Sequence, residues 1–530
     1  MDRLPLRPVT IAVIALLAGV YFVRSRTVPR PRLPPGPPGL PLLGNVLQAP
    51  AKHLATYFRG LCKEYGGFVS LNLAGFASIY MPVFLIGDIR LAKEVLEKRS
   101  AKFSSRPIVP YVRYHVDPGE VYWGFGKQDE THFIARKLTA GQMAGVRAGE
   151  TEPLQQFEAL LNMTHLLDDG GKDWFNHMER VSASTVLTAA FGLHCPTGQE
   201  PDLREVIACN AEFISLSTPS ASVNFLPFLD IIPGSMSWRK RAQTHRKRED
   251  ALYDRLITRA VSGEASGMNT WAAAFTREDK PEGDQRRLMN QFTLAAIESA
   301  CGILFHRTTI SMHSFVLACI LYPEWIPRVQ KEIDIIVGED RLPSFTDRPR
   351  LPYIDAIVRE TLRWRPAVRF GAPHQSTADD IVEYKGKEYF IPKGSIIFAV
   401  TWAIEHEQER FENYDSFQPE RFLDDTNNLK AGYETICPGI PFAERTLWIN
   451  IAMMLWTFNI RRSDEPDPKT GLPFKYDDSD SAFNGELSNG PLEFPAVFEP
   501  RSVHRAEVAR QEWAECEKDL NVLLPRHKDQ

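Results

Sequence analysis

The chain has 530 residues, of which 43% are hydrophobic, and a formal net charge of −5. This length and composition allow a large buried core, and we predict one large domain rather than several. The charge balance argues against a general nucleic-acid binder, and we interpret the basic run Arg239–Arg248 as a solvated helix face. Seven cysteines without a Cys-x-x-Cys pair exclude a disulfide framework and favour a reducing compartment.

The N-terminus begins with an apolar segment. Residues Val9 to Val23 carry no charge, and together with Leu4 to Pro8 they reach about twenty residues, the length of a membrane-spanning helix. Four arginines follow within residues 24–32. Because no small-residue cleavage site follows the segment, we predict a signal anchor with the remainder of the chain in the cytosol. The proline- and glycine-rich stretch Leu33–Leu43 predicts a stiff connector after it.

The body of the chain is predicted to be mainly α with a small β domain. Short β-like runs at Phe68–Leu73, Ala77–Tyr80 and Val83–Ile86 predict a small sheet near the N-terminus. Helical periodicity dominates from about Ile89 to Leu362. A second β-rich stretch follows over Val368–Val400, and the last residues of the chain regain partly helical periodicity.

A pair of opposite charges marks the end of the helical region. Glu360 and Arg363 are three residues apart, so on a helix their side chains lie on the same face. Arg421, in the later segment Pro419–Phe422, could complete a buried network of three charges. Such a network is stable only if all its hydrogen bonds are made. We therefore predict a structural role for these residues rather than a catalytic one.

Cys437 differs from the other cysteines in its surroundings. Pro438 stiffens the turn after it, Gly439 permits close approach of the backbone, and the apolar, helix-forming stretch Ala443–Phe458 follows. An anionic sulfur is favoured at the start of a helix. A shielded thiolate in such a loop can be the sole protein ligand of a haem iron, and a thiolate ligand promotes O–O cleavage.

Taken in order, these motifs resemble those of the cytochrome P450 monooxygenases, in particular the membrane-anchored enzymes of fungi. The resemblance covers nearly the whole chain, through Leu33–Gly39, Leu96–Ser100, Tyr322–Glu324, Glu360–Arg363, Phe390–Gly394, Pro419–Phe422 and Cys437–Gly439. It implies the cytochrome P450 fold with an N-terminal transmembrane anchor. The expected divisions are an anchor over 1–26, a connector over 27–45, a haem-thiolate catalytic domain over 46–500 and a charged, helical tail over 501–530.

The resemblance also implies haem b, iron protoporphyrin IX, as the cofactor. Cys437 is the expected axial ligand of the iron, and Gly439 lies in the same loop. Arg136 and His374 match positions that contact the haem propionates, and His132 stands where the family has a tryptophan. Family members also carry one or two arginines just before the cysteine, and this chain has no arginine there.

The long helix near 295–317 is expected to cross the distal face of the haem. Family members have small residues, an acid and two threonines there, and the acid and hydroxyl relay protons during oxygen activation. This chain has Leu304-Phe305-His306-Arg307-Thr308-Thr309, so the hydroxyls are kept and the acid is not. Either Thr308 or Thr309 is the expected relay.

The resemblance implies a monooxygenase that inserts one oxygen atom into a lipophilic small molecule such as a terpenoid or polyketide. NADPH-cytochrome P450 reductase would supply the electrons, and no nucleic acid is expected as a partner. The protein would be single-pass in the endoplasmic reticulum membrane, with its catalytic domain facing the cytosol. Expected pocket segments are Pro107–Tyr114, Val368–Gly371 and Leu487–Leu492.

Two alternatives remain open at the level of sequence. A haem-thiolate enzyme without the normal proton relay could act as an isomerase, a dehydratase or a peroxide-driven catalyst. A catalytically dead, membrane-bound relative would keep the fold without loading haem.

Overall fold

The computed structural model describes residues 32–40, 44–50, 52–73, 82–107, 109, 111–116, 133, 137, 141, 149–217, 236–278, 307–431, 440–467, 470–485 and 488–524. Helices dominate these residues and strands are few, which confirms the predicted mainly α fold with a small β part.

The first half of the described chain supplies eight of its α-helices. They are α1 (Leu54–Tyr65), α2 (Ile89–Lys93), α3 (Ser100–Phe103), α4 (Glu152–Asp168), α5 (Trp174–Phe191), α6 (Pro201–Ser217), α7 (Ser237–Val261) and α8 (Trp271–Glu278). The predicted basic run lies on α7, where Arg241 contacts Glu212 of α6 at 2.6 Å and Arg248 contacts Glu205 of α6 at 3.2 Å. These surface ion pairs agree with the interpretation of a solvated helix face.

The second half supplies the helices nearest the predicted site. They are α9, described over residues 307–321, α10 (Ile326–Ile336), α11 (Pro352–Trp364), α12 (Thr401–Ile404), α13 (Ile440–Thr457), α14 (Val503–Glu515) and α15 (Leu520–Leu523). Helix α11 has proline at its first position, where no backbone N–H is needed, and it ends just before Pro366.

The largest sheet joins strands that are distant in sequence. Strands β1 (Phe68–Asn72), β2 (Pro82–Ile86), β3 (His374–Gln375) and β6 (Ile396–Ala399) form it in the order β1-β2-β6-β3. Strand β6 is parallel to β2 and antiparallel to β3. Two hairpin-like pairs complete the β structure, β4 (Asp380–Tyr384) with β5 (Lys387–Ile391) and β7 (Phe458–Arg462) with β8 (Ala496–Pro500). The predicted run Ala77–Tyr80 lies outside the described residues.

The core is centred on α13. Its side chains from Leu447 to Trp456 are at most 1% exposed, and they pack with α4, α9, α10 and α11 in one large cluster. Among the described residues, no helix combines the length and the apolar character needed to cross a bilayer. The predicted anchor over 1–26 lies outside those residues and stays a prediction.

Candidate functional site

The structure brings the three charged residues Glu360, Arg363 and Arg421 together. Arg363 Nε and Nη2 donate to the two carboxylate oxygens of Glu360 at 2.6 and 2.9 Å, and both side chains are fully buried. Arg421 Nε donates to the same carboxylate at 3.1 Å, as does the backbone N–H of Gln418 at 2.8 Å. Three of these donors reach Oε1 of Glu360 and one reaches Oε2, and hydrogen bonds of this kind offset the cost of burying a carboxylate. The network therefore holds the end of α11 against the segment that contains Gln418 and Arg421.

Several predicted cofactor residues lie outside the described part of the chain. These are Cys437, Gly439, His132 and Arg136. Helix α13 starts at Ile440, three residues after the cysteine, and its body is buried in the core. The helix that would carry the thiolate loop is therefore anchored along its length.

Four of the five described cysteines have surroundings that disfavour a thiolate. Burial raises the pKa of the Cys62 thiol to about 12 and raises the pKa of Cys319, in the core beside α13, well above its ordinary value. Burial also raises the pKa of Cys195 and Cys516. These thiols stay protonated at neutral pH and act as apolar core groups.

His374 lies beside an arginine that sequence reasoning did not single out. Arg106 Nη1 donates to the carbonyl of Pro373 at 2.8 Å, and His374 Nδ1 donates to the carbonyl of Phe103 at 2.8 Å. An isolated bridge between Ser105 and Gln375 holds the two segments side by side. Because a carbonyl only accepts, His374 Nδ1 carries hydrogen, and its Nε2 can donate as well only when the ring is charged.

The Arg106 guanidinium suits the negative charge of a carboxylate ligand. A haem propionate is such a ligand, and this half-buried arginine matches it in charge and in hydrogen-bond donors. The residues present therefore fit the cofactor that the sequence motifs imply. The signal that could have revealed Arg106 was its position just after the family-like segment Leu96–Ser100.

Both predicted relay threonines are buried on α9. Thr308 is 4% exposed and Thr309 is 5% exposed, so burial does not choose between them. The next residue, Ile310, packs against Gly490, where an added methyl group would lie 2.9 Å from Ile310 Cγ1. The loop that contains Gly490 therefore rests directly on the helix that carries the threonines.

Two of the predicted pocket segments meet at this loop. The backbone N–H of Asn489 donates to the carbonyl of Ala367 at 2.8 Å, immediately before the segment Val368–Gly371. Asn489 and Gly490 are buried. Leu492, at the end of the predicted segment Leu487–Leu492, is 51% exposed, and its place in the pocket stays a prediction.

The Arg369 side chain links the predicted segment Val368–Gly371 to Trp402 of α12 and to residues 480–483. Its guanidinium lies between the rings of Trp402 and Phe483, 4.2 and 4.3 Å from their centroids, and Nη1 contacts Asp480 at 3.1 Å. Thr56 of α1 donates to the same carboxylate at 2.6 Å. Burial lowers the pKa of Arg369 to about 9, so the side chain is still charged at neutral pH. The sequence signal was a single arginine within an otherwise apolar segment.

We expect Gly490→Ala to destabilise the protein by about 1–3 kcal/mol, because the added methyl group overlaps the side chain of Ile310. Adding Ile310→Val should restore a small part of that loss, since it removes Cδ1, 3.5 Å from the added methyl group, and the shorter side chain can move away from the overlap at Cγ1. Gly60→Ala, on the exposed side of α1 with no atom near the new methyl group, is the matched control and should raise stability slightly. Urea unfolding of the four proteins measures the effect. Equal free energies of unfolding for Gly490→Ala and Gly60→Ala would show that the Gly490 loop does not pack on α9.

The described part of the chain is thus a helical domain with a buried Glu–Arg–Arg network, an arginine and a histidine side by side, and two buried hydroxyls near the Gly490 loop. The family model described as "Cytochrome P450" matches residues 34–476. The chain belongs to the cytochrome P450 family and is an oxidoreductase of the monooxygenase type, with haem as its cofactor.

Curated relatives match nearly the full length of the chain. Cytochrome P450 monooxygenase peniB of Penicillium patulum is 30% identical over 524 residues, which cover 97% of this chain and 93% of the relative. Cytochrome P450 monooxygenase 58 of Postia placenta is 32% identical over 491 residues, 88% of this chain and 89% of the relative. Echilunin cytochrome P450 monooxygenase of Aspergillus ruber is 30% identical over 533 residues, with 97% and 93% covered.

Proposed function

We propose that the protein is a membrane-anchored monooxygenase that oxidises a lipophilic small molecule of fungal secondary metabolism. The observation that supports this most is the meeting of α9, the Ala367 segment and the Gly490 loop, since uncharged residues of three distant segments converge next to two buried hydroxyls. Ile310, Ala367 and Gly490 offer no charge to a substrate. An apolar site with few polar groups selects lipophilic molecules.

The proposed roles of the residues follow from their positions. Cys437 holds the iron of haem b, and the arginine–histidine pair Arg106 and His374 binds a propionate. Arg136, His132 and Gly439 are further proposed cofactor contacts. When bound, haem with a thiolate ligand supplies the oxygen chemistry that amino-acid side chains lack.

Electron supply and location complete the proposal. Family members use a redox partner, and we propose NADPH-cytochrome P450 reductase for this chain. The apolar run over Val9–Val23 and the arginines after it support a single-pass anchor in the endoplasmic reticulum membrane, with the catalytic domain in the cytosol. The alternatives without oxygen insertion are not favoured, because the matching relatives are named as monooxygenases.

The test is the absorption spectrum of the reduced, carbon-monoxide-bound protein, purified from a host supplied with haem. We expect the red-shifted Soret band of thiolate-ligated haem. We also expect the full-length chain to sediment with microsomes and to oxidise NADPH when the reductase is added. A soluble, folded chain without any haem would contradict the enzyme proposal.

We expect the double change Thr308→Ala and Thr309→Ala to leave haem content intact and to lower the oxygenation rate by roughly a hundredfold, because general acid catalysis is lost. NADPH consumption should then appear as released hydrogen peroxide. Ser311→Ala is the matched control, because the Ser311 hydroxyl is used within the helix, donating to the Arg307 carbonyl at 2.9 Å.

The sequence has no acidic residue just before Thr308, where family members carry one. We therefore expect even the natural protein to release some hydrogen peroxide. Arg307→Asp should therefore raise the fraction of NADPH that is used for product. NADPH consumed, peroxide released and product formed are measured for all four proteins. Tight coupling in the natural protein that survives the double alanine change would show that protons arrive by another route.

A further inference from the structure

The last described segment of the chain is a docked part of the domain. Residues 501–524, named here the C-terminal strap, follow β8 and contain α14 and α15. Arg505 is 2% exposed, Ala509 1% and Leu524 3%, although the segment is rich in charge. A chain end that buries both charged and apolar groups at separate points is held in one path.

The first attachment joins the strap to the end of α13. Arg505 Nη1 donates to the carbonyl of Trp456 in the last turn of α13 at 3.1 Å, and its guanidinium lies 4.8 Å from the indole centroid. Arg505 Nη2 and both terminal nitrogens of Arg501 bind the carboxylate of Asp334 on α10 at 2.7–2.9 Å. Burial alone would raise the pKa of Asp334, but the hydrogen bonds from these arginines lower it. The Asp334 carboxylate therefore stays ionised across the neutral pH range.

The second attachment lies in the middle of the strap. The Trp513 ring packs on Phe157 of α4, with centroids 5.3 Å apart. Glu512 Oε1 accepts a hydrogen bond from the backbone N–H of Leu342 at 2.7 Å. Val508 and Ala509 belong to the same buried cluster as the body of α13. The strap thus follows the outside of the helices that enclose α13.

The third attachment reaches the start of α13. Leu523 and Leu524 are buried in one cluster with Trp271 and Phe442, and the Leu524 carbonyl accepts from the Asn269 N–H at 3.0 Å. Two residues after Asn269, the Trp271 ring stands edge-on to Phe442 with centroids 5.3 Å apart. Phe442 is 1% exposed and is the third residue of α13.

Phe442 follows Cys437 by only five positions in the sequence. We propose that the C-terminal strap is a positioning element for the haem ligand. It contacts the end of α13 through Arg505 and, through the buried cluster that joins Leu523 and Leu524 to Trp271 and Phe442, it holds the start of the helix that follows Cys437. This inference rests on the proposed haem-thiolate function. It assigns a role in cofactor retention to residues that lie outside the segment matched by the family model.

The experiment compares two full-length variants in which buried apolar side chains are shortened to alanine. Leu523→Ala with Leu524→Ala loosens the third attachment. Val382→Ala is the control, because Val382 is fully buried in a separate cluster around β4 that contains no residue of α13. Leu523→Ile with Leu524→Met, which keeps the apolar volume, serves as the rescue variant.

Two readouts are taken besides the melting temperature. They are the fraction of thiolate-type band in the ferrous carbon-monoxide spectrum and the rate of haem transfer to apomyoglobin. We expect the double alanine variant to convert part of the thiolate band to the blue-shifted form and to release haem about tenfold faster, because local opening near the ligand becomes easier. The control and the rescue variant should keep the natural spectrum and the natural transfer rate.

Different outcomes would contradict the positioning role of the C-terminal strap and the proposed haem-thiolate function. If the double alanine variant and Val382→Ala lose haem in proportion to their melting temperatures, the strap acts only on global stability and the inference is wrong. An unchanged spectrum and transfer rate in the double alanine variant would also overturn it. A natural protein without any thiolate band would instead contradict the proposed function. If the double variant does not fold, Leu524→Ala alone is compared in the same way.

Discussion

Replacing Arg363 with alanine is expected to destabilise the protein by about 3–5 kcal/mol, because the change leaves a buried carboxylate without its main partner. Glu360 is fully buried and would lose two charge-assisted hydrogen bonds. Three backbone carbonyls would lose a donor as well, those of Glu405, Tyr414 and Ser416. We expect aggregation or loss of haem on expression, measured by soluble yield, haem content and denaturant unfolding.

Arg359→Ala on the same helix is the matched control. Arg359 is half-buried and donates to the carbonyl of Lys430 at 2.9 Å. The loss of this hydrogen bond should lower the free energy of unfolding by about 1 kcal/mol, as for a single partly exposed hydrogen bond.

Arg363→Lys should restore little of the stability lost in Arg363→Ala, since an ammonium group cannot reproduce the paired geometry of a guanidinium on a carboxylate. Full haem content and unchanged unfolding in Arg363→Ala would show that the network does not hold α11.

Cys437→Ala is expected to abolish the thiolate-type carbon-monoxide band altogether. The five described cysteines are Cys62, Cys195, Cys209, Cys319 and Cys516, of which the first four are buried. Burial raises the pKa of Cys62, Cys195, Cys319 and Cys516, and a protonated thiol cannot replace the missing ligand. The protein should either lose haem or bind it with a blue-shifted band, and its NADPH-driven activity should disappear.

Cys319→Ala provides the control for a cysteine of the core. Its side chain is 1% exposed, and burial raises its pKa, so it acts as a small apolar group beside α13. We expect a modest loss of stability with a full thiolate band. A normal band in Cys437→Ala, or its loss in Cys319→Ala, would assign the iron ligand to another residue.

Local sequence spacing predicted the features that depend on one helix or one strand. The i, i+3 spacing of Glu360 and Arg363 placed both side chains on one face of α11, because helix geometry fixes that relation without any tertiary contact. The β-rich stretch after Val368 and the helix that follows Cys437 were predicted for the same reason. These elements follow from periodicity and from the prolines and glycines that bound them.

Tertiary packing alone decided which distant segments meet. Arg106 joins His374 because β3 pairs with β6 and a bridge aligns Ser105 with Gln375, which no local pattern encodes. The contact of Arg369 with Asp480 joins residues that are far apart in the sequence. The helical periodicity of the C-terminal tail likewise did not show that Leu524 belongs to the buried cluster around Phe442. The physical reason is that apolar burial is non-directional, so spacing along the chain defines an apolar face but not the surface that covers it.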